Sequence, residues 1–435
     1  MRDPIDEFMR FNRPFARRNP ELLRLKVARM AEGPFAFFRG TFHLFARDVI
    51  ETKAGPLPLL SGSGAELELV GDIHSENFGT YKAADGAIHY DVNDFDETTT
   101  GRFDFDVCRL ATSWLLAALE RKDPLEQAVP APLAGLVTYA DALRRLLKKG
   151  KGPQLDVCEA TPSGCGPVDE LLAAGAAAKR PAFIGRLTEL KNGGRRLLRS
   201  AHYFNLADED RARAERLLAD YRKRAPRGED DAYFKVEDVC GRVAGIGSMG
   251  RYRYAVLIAG KGSADARNVL LEFKESRPSA YDLYRNRDTG AEGLAGSAQH
   301  VVKMQQESQA AASEFLGYAV DGPLSFQARE IGPPDARVDA KALKSAALWA
   351  GVARVQAAVL ARIHARAAMR AVGSANPLAE LDDPNAFCQR VLAFALGYAD
   401  VATRDWTRFV GARAQIDDVA SWAGTADRPV TAPGT

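Results

Sequence analysis

Three closely spaced glycines restrict the possible folds of this chain more than any other feature. Gly245, Gly247 and Gly250 follow the pattern Gly-x-Gly-x-x-Gly, with Ser248 inside it. A dinucleotide-binding fold needs a helix directly after such glycines. Here residues 251–258 alternate in polarity, which predicts a strand. We therefore interpret the segment as a loop between two antiparallel strands. Its backbone N–H groups can approach a phosphate because glycine carries no Cβ.

The next strand-like run, residues 268–275, carries Lys274 among apolar side chains. Burying an ammonium group costs free energy unless the group meets an anion, and the α- and β-phosphates of a nucleotide would provide one. A snorkelling lysine in a flexible hairpin is the alternative. A helix predicted near residues 296–316 offers two carboxylates as partners for this lysine. Glu307 is preferred over Glu314, although either residue suits a solvated helix face.

A group of polar residues much earlier in the chain has the composition of a catalytic loop. Asp72 follows a predicted strand at residues 66–70 and precedes Asn77 by five positions, with His74 between them. An aspartate in such a loop can orient a hydroxyl and accept its proton, and the asparagine can hold magnesium. His74 is a second catalytic candidate. A zinc hydrolase centred on it is disfavoured, because the six histidines form no His-x-x-x-His or His-x-His pair.

Two further carboxylates, Asp94 and Asp96, follow a short predicted strand at residues 88–92. Carboxylate oxygens suit a magnesium ion that also binds phosphates. Gly-Asp and Asn-Asp pairs are also ordinary turn residues. Because both motifs occur together, with a hairpin between them and a predicted helix at residues 104–120 after them, the sequence favours an active site.

The composition indicates an ordinary globular protein without bulk attraction to polyanions. Of 435 residues, 46% are hydrophobic and 27% are charged, and the formal net charge is +2. These values predict no nucleic-acid partner and no membrane partner. The first 30 residues lack the apolar stretch of a secretory signal, and five widely spaced cysteines favour reduced thiols in the cytoplasm.

The periodicities predict an α+β chain with one strand-rich segment. Helices are expected within residues 5–55, 126–149 and 169–224, and again after residue 340. We predict four parts: an N-terminal helical extension, a segment with the two polar loops, a small β-rich nucleotide-binding lobe, and C-terminal helices that complete a helical lobe. Their bounds are residues 1–60, 61–231, 232–335 and 336–435.

Several motifs together resemble the bacterial DUF2252 family. They are Phe-Ala-Phe-Phe-Arg-Gly at residues 35–40, Gly-Asp-Ile-His-x-x-Asn-Phe-Gly at 71–79, Asn-Asp-Phe-Asp-Glu at 93–97, the glycine-rich loop and the Lys274 strand. The resemblance covers roughly residues 20–410. The family has no settled activity, so this resemblance implies no substrate.

Part of the chain also resembles aminoglycoside-phosphotransferase-like kinases and protein kinases. Residues 71–77 match the Gly-Asp-x-His-x-x-Asn loop and residues 92–95 the metal-binding motif. Val70 replaces a leading His, and Asp96 stands where protein kinases have glycine. The resemblance implies that Asp106 in the following helix braces the loop. Since the glycine loop and lysine of kinases precede the catalytic loop, it also implies a bilobal protein-kinase-like fold in circularly permuted order.

Two other segments bear on the kinase resemblance. Residues 360–364, Leu-Ala-Arg-Ile-His, are similar to the helix that leads into the catalytic loop of such kinases, and their late position supports the permutation. Arg39 has no counterpart in ordinary kinases. A contact of Arg39 with phosphate or substrate and a structural salt bridge both stay open.

The residues and the resemblance together imply ATP- and magnesium-dependent phosphoryl transfer to a hydroxyl of a small molecule or protein. Transfer of AMP on the same fold, with ATP bound in another orientation, is the second possibility. A non-catalytic nucleotide-binding scaffold is the third. No residue pattern indicates the acceptor, and helices within residues 126–224 are expected to shape its pocket.

Overall fold

The structure is a computed structural model with mixed helices and sheets. It describes residues 2–51, 65–149, 156–191, 194–224, 230–261, 267–285, 290–343, 345–371 and 379–424. The helices of this part of the chain are α1 (Pro4–Arg18), α2 (Pro20–Met30), α3 (Pro34–Gly40), α4 (Phe42–Glu51), α5 (Phe103–Glu120), α6 (Leu125–Ala128), α7 (Pro130–Lys149), α8 (Gly166–Ala177), α9 (Arg180–Leu187), α10 (Asp208–Arg222), α11 (Ala280–Tyr284), α12 (Gly290–Ser308), α13 (Ala346–Arg370), α14 (Pro384–Gly411), α15 (Arg413–Asp417) and α16 (Val419–Ala423). Single 3-10 turns lie at Ser75–Asn77, Ala340–Ala342 and Ala379–Leu381.

The described strands form one large sheet and three two-stranded ladders. They are β1 (Glu66–Leu69), β2 (Phe78–Lys82), β3 (Ile88–Val92), β4 (Thr99–Arg102), β5 (Thr188–Lys191), β6 (Gly194–Leu197), β7 (Tyr203–Phe204), β8 (Val236–Arg242), β9 (Arg253–Ile258), β10 (Val269–Ser276), β11 (Gly317–Asp321) and β12 (Leu324–Glu330). The large sheet has the order β11-β12-β10-β9-β8-β7, and every neighbouring pair is antiparallel. The prediction of an α+β chain is confirmed.

One face of the large sheet is covered by α10, which packs on β8 and β11. Apolar side chains from both layers form this core, and its members include Leu217, Val256, Leu271 and Phe273. Helix α12 packs against β10, β11 and β12. Burial of this apolar surface, at about 25 cal/mol per Å2, is the main stabilisation of such a layer.

A second, larger core lies among the helices α5, α7, α13 and α14. Almost every residue of α5 is buried because the helix packs against the other three. Trp114 on α5 donates its indole N–H to Gln356 of α13 at 2.7 Å, and Trp349 donates to the Trp114 carbonyl at 2.9 Å. These bonds satisfy the polar atoms of two large aromatic side chains in the core.

Helix α13 is long and apolar enough to cross a membrane by length and composition. Within its most apolar window, 67% of the helix is buried inside the fold. The helix packs along α7 and also contacts α5, α8 and α12. Its apolar surface is therefore explained by its place in the helical core.

Residues 169–224 depart from the prediction of continuous helix. Between α9 and α10 the chain forms the β5–β6 hairpin and the short strand β7, which pairs with β8. Leu197 and Tyr203 are buried against the large sheet, and the Leu197 N–H bonds Asp238 at 3.0 Å. Tertiary contacts override the local preference here. The unit around the large sheet thus begins near α9, before residue 232.

Helices from both ends of the chain pack into one cluster. Phe8 of α1, Phe37 of α3 and Phe409 of α14 share this apolar core with residues of α2, α15 and α16. Phe8 and Phe409 meet edge to face with centroids 5.3 Å apart. The cluster also receives Ile246 from the glycine-rich loop. The N-terminal helices therefore reach the region that the sequence assigns to phosphate binding.

Candidate active site

The two polar loops lie side by side because of how their strands pair. Strand β1 pairs with β4 so that Leu69 is opposite Thr99, and β2 pairs with β3 so that Phe78 is opposite Val92. Residues 70–77 and 93–98 are the two connections between these ladders. Both connections therefore lie at the same end, and Asp72 comes to face the same cleft as Asp94.

A cavity of about 550 Å3 lies between these loops and the large sheet. Most of the site residues predicted from the sequence line it: Arg39, Asp72, His74, Asn77, Asp94, Asp96, Gly245, Gly247, Ser248 and Lys274. The glycine loop comes close to the first polar loop. A Cβ placed on Gly247 would lie 3.8 Å from Asp72 Oδ2. Segments far apart in sequence thus face each other across one cleft.

Two predicted residues do not line this cavity. Gly250 has φ +98°, and a Cβ there would lie 2.6 Å from the Phe15 Cβ, so this glycine serves the close contact with α1. Glu307 pairs with Arg370 at 3.4 Å and Lys303 at 3.9 Å. The prediction that Glu307 is the partner of Lys274 is wrong.

The carboxylate partners of Lys274 are Asp94, at 3.1 Å from Nζ, and Asp96. Near this lysine, helix α12 presents Gln305, whose Oε1 accepts from Gln327 Nε2 at 2.6 Å. Gln327 stands directly opposite Lys274 in the ladder between β10 and β12. Packing of α12 on the sheet therefore turns an amide, and not Glu307, toward this end of the strand.

Asp72 is held by a buried arginine. Arg109 of α5 donates its Nε–H to Asp72 Oδ1 at 2.7 Å, and its guanidinium lies 4.0 Å from the ring centre of Phe38. Its Nη2 also donates to the Phe38 carbonyl at 3.0 Å. Burial raises the pKa of Asp72 to about 7; Arg109 opposes this rise, while nearby Glu97 adds to it. A carboxyl with a pKa near neutrality is suited to accept a proton.

The backbone of the same loop is braced by Asp106 at the start of α5. Its carboxylate accepts the N–H groups of Val70 at 2.8 Å and Gly71 at 3.0 Å. His364 Nε2 of α13 lies 3.3 Å from Oδ2 of this carboxylate, the oxygen that also accepts the Val70 N–H. Gly71 has φ +92°, and a Cβ there would lie 2.0 Å from the Glu97 carbonyl. The loop thus needs glycine at this position, and Asp106 has the bracing place that the kinase resemblance implied.

His74 and Asn77 are oriented by hydrogen bonds within the loop. His74 Nδ1 accepts the Glu76 N–H at 3.2 Å, and burial lowers the pKa of His74 well below its usual value. The ring is therefore neutral, with its proton on Nε2. Asn77 donates its amide N–H to the Asp72 carbonyl at 2.9 Å. Its amide oxygen makes no bond to a described residue and lines the cleft.

The pKa values of Asp94 and Asp96 are shifted in opposite directions although both carboxylates contact Lys274. Partial desolvation in the cleft would raise the pKa of Asp94, but Lys274 and Arg253 lower it below its usual value. Burial and the charge of Asp94 raise the pKa of Asp96. The Asp96 Oδ1 atom is buried without a partner among the described residues. This unsatisfied oxygen is available to a ligand.

The described residues include no group of three or more His, Cys, Asp or Glu side chains placed to hold a metal. Magnesium seldom needs such a group, because it takes one or two carboxylates, keeps waters, and shares the phosphates of its substrate. Asn77, Asp94 and Asp96 provide an amide oxygen and two carboxylates along one cleft wall. Their chemistry fits magnesium held jointly with a phosphate ligand.

Arg39 forms a salt bridge at the edge of the cavity. It pairs with Glu76 at 2.8 Å, and Arg337 approaches the same carboxylate at 3.1 Å. The Arg39 Nε–H is buried without a partner among the described residues. The salt bridge left open by the sequence is thus present, while the Nε–H donor meets no acceptor in the described part of the chain.

Residues 18–412 match the family model for DUF2252, described as an uncharacterized protein conserved in bacteria. The chain belongs to the DUF2252 family. No curated protein and no solved structure matches it. The match spans both polar loops, the glycine-rich loop and α13, and of the residues that line the cleft in this DUF2252 chain all except Phe11 lie within the family region.

A cluster of arginines lies on the side of the large sheet that faces the cavity of this DUF2252 chain, and the sequence analysis did not predict it. Glu272, two residues before Lys274, is 1% exposed and pairs with Arg253 at 2.6 Å, Arg329 at 3.0 Å, and Arg242. Burial alone would raise the pKa of Glu272, but the three arginines hold it well below its usual value. All three arginines line the cavity. The available signal was a pair of opposite charges on neighbouring strands, because Glu272 stands opposite Arg329 in the ladder between β10 and β12.

The far end of the cavity is apolar. Phe183 and Leu187 from α9 approach Tyr203 of β7 and Ile331, which follows β12. The cavity therefore runs from an apolar end, past the arginines and Lys274, to Asp72. This gradient suits a ligand with a flat apolar group and an anionic chain.

Proposed function

We propose that the protein is an ATP- and magnesium-dependent phosphotransferase with a circularly permuted kinase-like fold. The observation that carries the proposal is the convergence of Asp72, Lys274 and the glycine loop on one cavity. These three features come from segments whose order in the chain is opposite to that in kinases. Their separate matches would be weak, but their shared cleft supports a common ligand.

The arrangement of elements also supports a kinase-like fold. The glycine loop joins the antiparallel strands β8 and β9, Lys274 lies on the next strand, and α12 packs beside it. In protein kinases a glycine-rich loop covers the phosphates and a lysine on the third strand contacts them. Helix α13, late in the chain, meets Asp106 below the Asp72 loop through His364.

The proposed chemistry depends on position and charge. Lys274 and the backbone of the glycine loop bind phosphate oxygens of ATP, and Asp72 orients an acceptor hydroxyl and accepts its proton. Asn77, Asp94 and Asp96 would hold the magnesium ion, which neutralises charge on the phosphates. Arg109 fixes the direction of the Asp72 carboxylate. The acceptor reaches Asp72 from the side of Arg39 and His74.

One observation favours a second candidate, the transfer of AMP. The large sheet carries Arg242, Arg253 and Arg329 on the side that faces the cavity, close to Lys274. The planar guanidinium group of arginine matches the geometry of phosphate oxygens and binds them through paired hydrogen bonds. ATP turned end for end would place its terminal phosphates on these arginines and its α-phosphate near Asp72. A non-catalytic scaffold is disfavoured, because it has no need of Asp72, Asn77, Asp94 and Lys274 together.

The test uses ATP binding followed by product analysis. We expect ATP to raise the melting temperature of the protein more with magnesium than without it. Incubation with candidate hydroxyl-bearing small molecules and proteins should then consume ATP. Mass spectrometry of the product distinguishes an added phosphate from an added AMP. Absence of any ATP-dependent shift in melting temperature would refute both candidates.

A further inference from the structure

Lys26 of α2 is a buried lysine whose hydrogen-bond partners are uncharged. Its side chain is 1% exposed, and Nζ lies 3.1 Å from Asn12 Oδ1 and 3.1 Å from the Gly247 carbonyl. No carboxylate of the described residues lies within ion-pairing distance of Nζ. An ammonium group has three N–H donors. One donor of Lys26 is therefore unused by the described part of the protein.

The side chain lies at the Asp72 end of the cavity. Lys26 lines this cavity together with Asp72, Gly247 and Arg251. Arg29, one helical turn later, also lines it and makes no ion pair or side-chain hydrogen bond with a described residue. Two basic side chains from the N-terminal helices thus face the place where the proposed reaction would occur.

The two hydrogen bonds of Lys26 join α2 to α1 and to the glycine loop, but they leave its charge without a counter-ion. Neighbouring residues of α2 that face the same way, Leu23, Val27 and Met30, are apolar and fully buried. An apolar residue at position 26 would avoid the cost of burying a charge without a counter-ion. Burial, and then the charge of Arg251, lower the pKa of Lys26 to about 7, while Glu97 and Asp72 partly offset this. Lys26 therefore lacks a counter-ion, and an anionic ligand can supply one.

We propose that Lys26 binds a phosphate group of the nucleotide at the Asp72 end of the cleft. The contact rests on the proposed function and extends it, because the N-terminal helices provide a phosphate ligand outside the kinase-like motifs. No bond forms or breaks at Lys26. Its ammonium group neutralises phosphate charge where the reacting phosphate and Asp72 meet, and its bond to the Gly247 carbonyl holds the glycine loop over the same phosphate.

The test compares Lys26→Met with Lys303→Met, a matched variant at an exposed lysine of α12. Calorimetry measures the affinities of ATP, inorganic tripolyphosphate and adenosine with magnesium present. We expect Lys26→Met to weaken ATP and tripolyphosphate at least tenfold, to leave adenosine unchanged, and to melt at the same temperature or higher. The control should bind all three like the wild type.

Two results would overturn the inference: unchanged ATP affinity in Lys26→Met, or an equal loss for ATP and adenosine, which would indicate a structural lysine. If the wild type itself binds no nucleotide, the proposed function fails, and this result is distinct from a failure of Lys26 alone. If Lys26→Met weakens ATP binding, the affinities of ADP and AMP show which phosphate group Lys26 contacts. A loss of affinity for ATP alone would place the terminal phosphate near Lys26. A loss of affinity for all three nucleotides would place the α-phosphate there and favour AMP transfer.

Proton uptake gives an independent readout. The charged and titratable groups facing Lys26 are His43, Asp72, Glu97 and Arg251. At pH 8, Lys26 of the ligand-free protein is mostly neutral. A bound phosphate favours its charged form, so nucleotide binding should take up protons from the buffer. Calorimetry in buffers of different ionisation enthalpy should show more uptake in the wild type than in Lys26→Met. Equal uptake would contradict the contact.

Discussion

At the scale of single residues, the position of Asp72 depends on Arg109 as much as on its own loop. Arg109 is fully buried, and its guanidinium is surrounded by Phe38, Phe42 and Phe45 at 4.0, 4.8 and 5.0 Å. Cation–π contacts of this kind stabilise a desolvated guanidinium by about 2 kcal/mol. The aromatic run near residue 35 therefore has a role at the site, since it supports the arginine that aims the carboxylate.

Asp72→Asn should lower turnover by about 10²- to 10⁴-fold while ATP still binds. The amide oxygen can still accept from Arg109, but it cannot take a proton at the acceptor hydroxyl. Turnover and ATP affinity are to be measured on the same preparation. An unchanged turnover would exclude Asp72 as the base and favour the scaffold.

Asp94→Ala should abolish magnesium-dependent turnover and leave the fold intact. The Asp94 side chain is 44% exposed, so little packing is lost with it. Asp85→Ala is the matched control, because Asp85 is 48% exposed at the other end of the same hairpin. Turnover of Asp85→Ala should match that of the wild type, and the melting temperature of Asp94→Ala should stay close to that of the wild type. Full turnover in Asp94→Ala would remove Asp94 from the metal site.

The pKa of Lys26 predicts a dependence of stability on pH. It falls from 10.5 to about 7 in the folded state. Between these values the unfolded chain binds more protons, so the contribution of Lys26 to the free energy of unfolding rises with pH. The wild type should gain stability relative to Lys26→Met from about pH 7 upward and show a constant difference below it. Urea unfolding at several pH values measures this difference, and a flat difference across the range would contradict the lowered pKa.

At the scale of elements, α13 completes the support of both polar loops. Arg362 pairs with Asp91 of β3, which is fully buried, and His364 pairs with Asp106 below the Asp72 loop. Asp91 also accepts the Ala310 N–H at 2.9 Å, just after α12. One buried carboxylate thus joins the β2–β3 hairpin, α12 and α13. An ion pair, as well as packing, therefore holds α13 against the β2–β3 hairpin.

Removing one member of this buried pair should be costly. Asp91→Ala should reduce the free energy of unfolding by about 3–5 kcal/mol, because Arg362 would stay buried without its main counter-ion. Arg362→Met should cost a similar amount, and the double variant should lose clearly less than the sum. Asp400→Ala, in an exposed pair with Arg404 on α14, should cost about 0–1 kcal/mol. Additive losses in the double variant would show that the pair is not coupled.

At the scale of the whole molecule, three distant parts of the chain build one cleft. The loops near residues 72 and 94, the glycine loop and Lys274 near residues 245–274, and Lys26 of α2 line the same cavity. The helices of both chain ends form the cluster that receives Ile246 of the glycine loop. The proposed site is thus closed on one side by helices from both ends of the chain.

Hydrogen exchange should report this convergence. Magnesium and ATP should slow amide exchange in residues 71–77 and 245–250 at the same nucleotide concentration, because both segments contact one ligand. The exposed apolar surface of α6 and α7, around Leu133 and Val137, is an internal control and should not change. Protection of only one segment would refute a shared nucleotide site.

Much of the fold was predictable from local pattern. The strand limits near Glu66–Leu69, Ile88–Val92 and Val269–Ser276 follow from alternation, and the early and late helices follow from helical spacing. The prediction failed at residues 188–204. There β5, β6 and β7 form because Leu197 and Tyr203 find an apolar sheet edge, and a local sequence window does not contain that sheet.

The features of the site likewise divide into those set by local sequence and those set by tertiary structure. Sequence alone determined the spacing of Asp72 and Asn77, the glycine at residue 71 and the flanking strands, because loop geometry and strand alternation act over a few residues. Only tertiary structure decided that Lys274 pairs with Asp94 and Asp96 and not with Glu307, that Arg109 orients Asp72, and that Lys26 reaches the cleft. Those contacts depend on how a helix is rotated and docked on a sheet. Many distant apolar contacts set that rotation together, and no short stretch of residues specifies it.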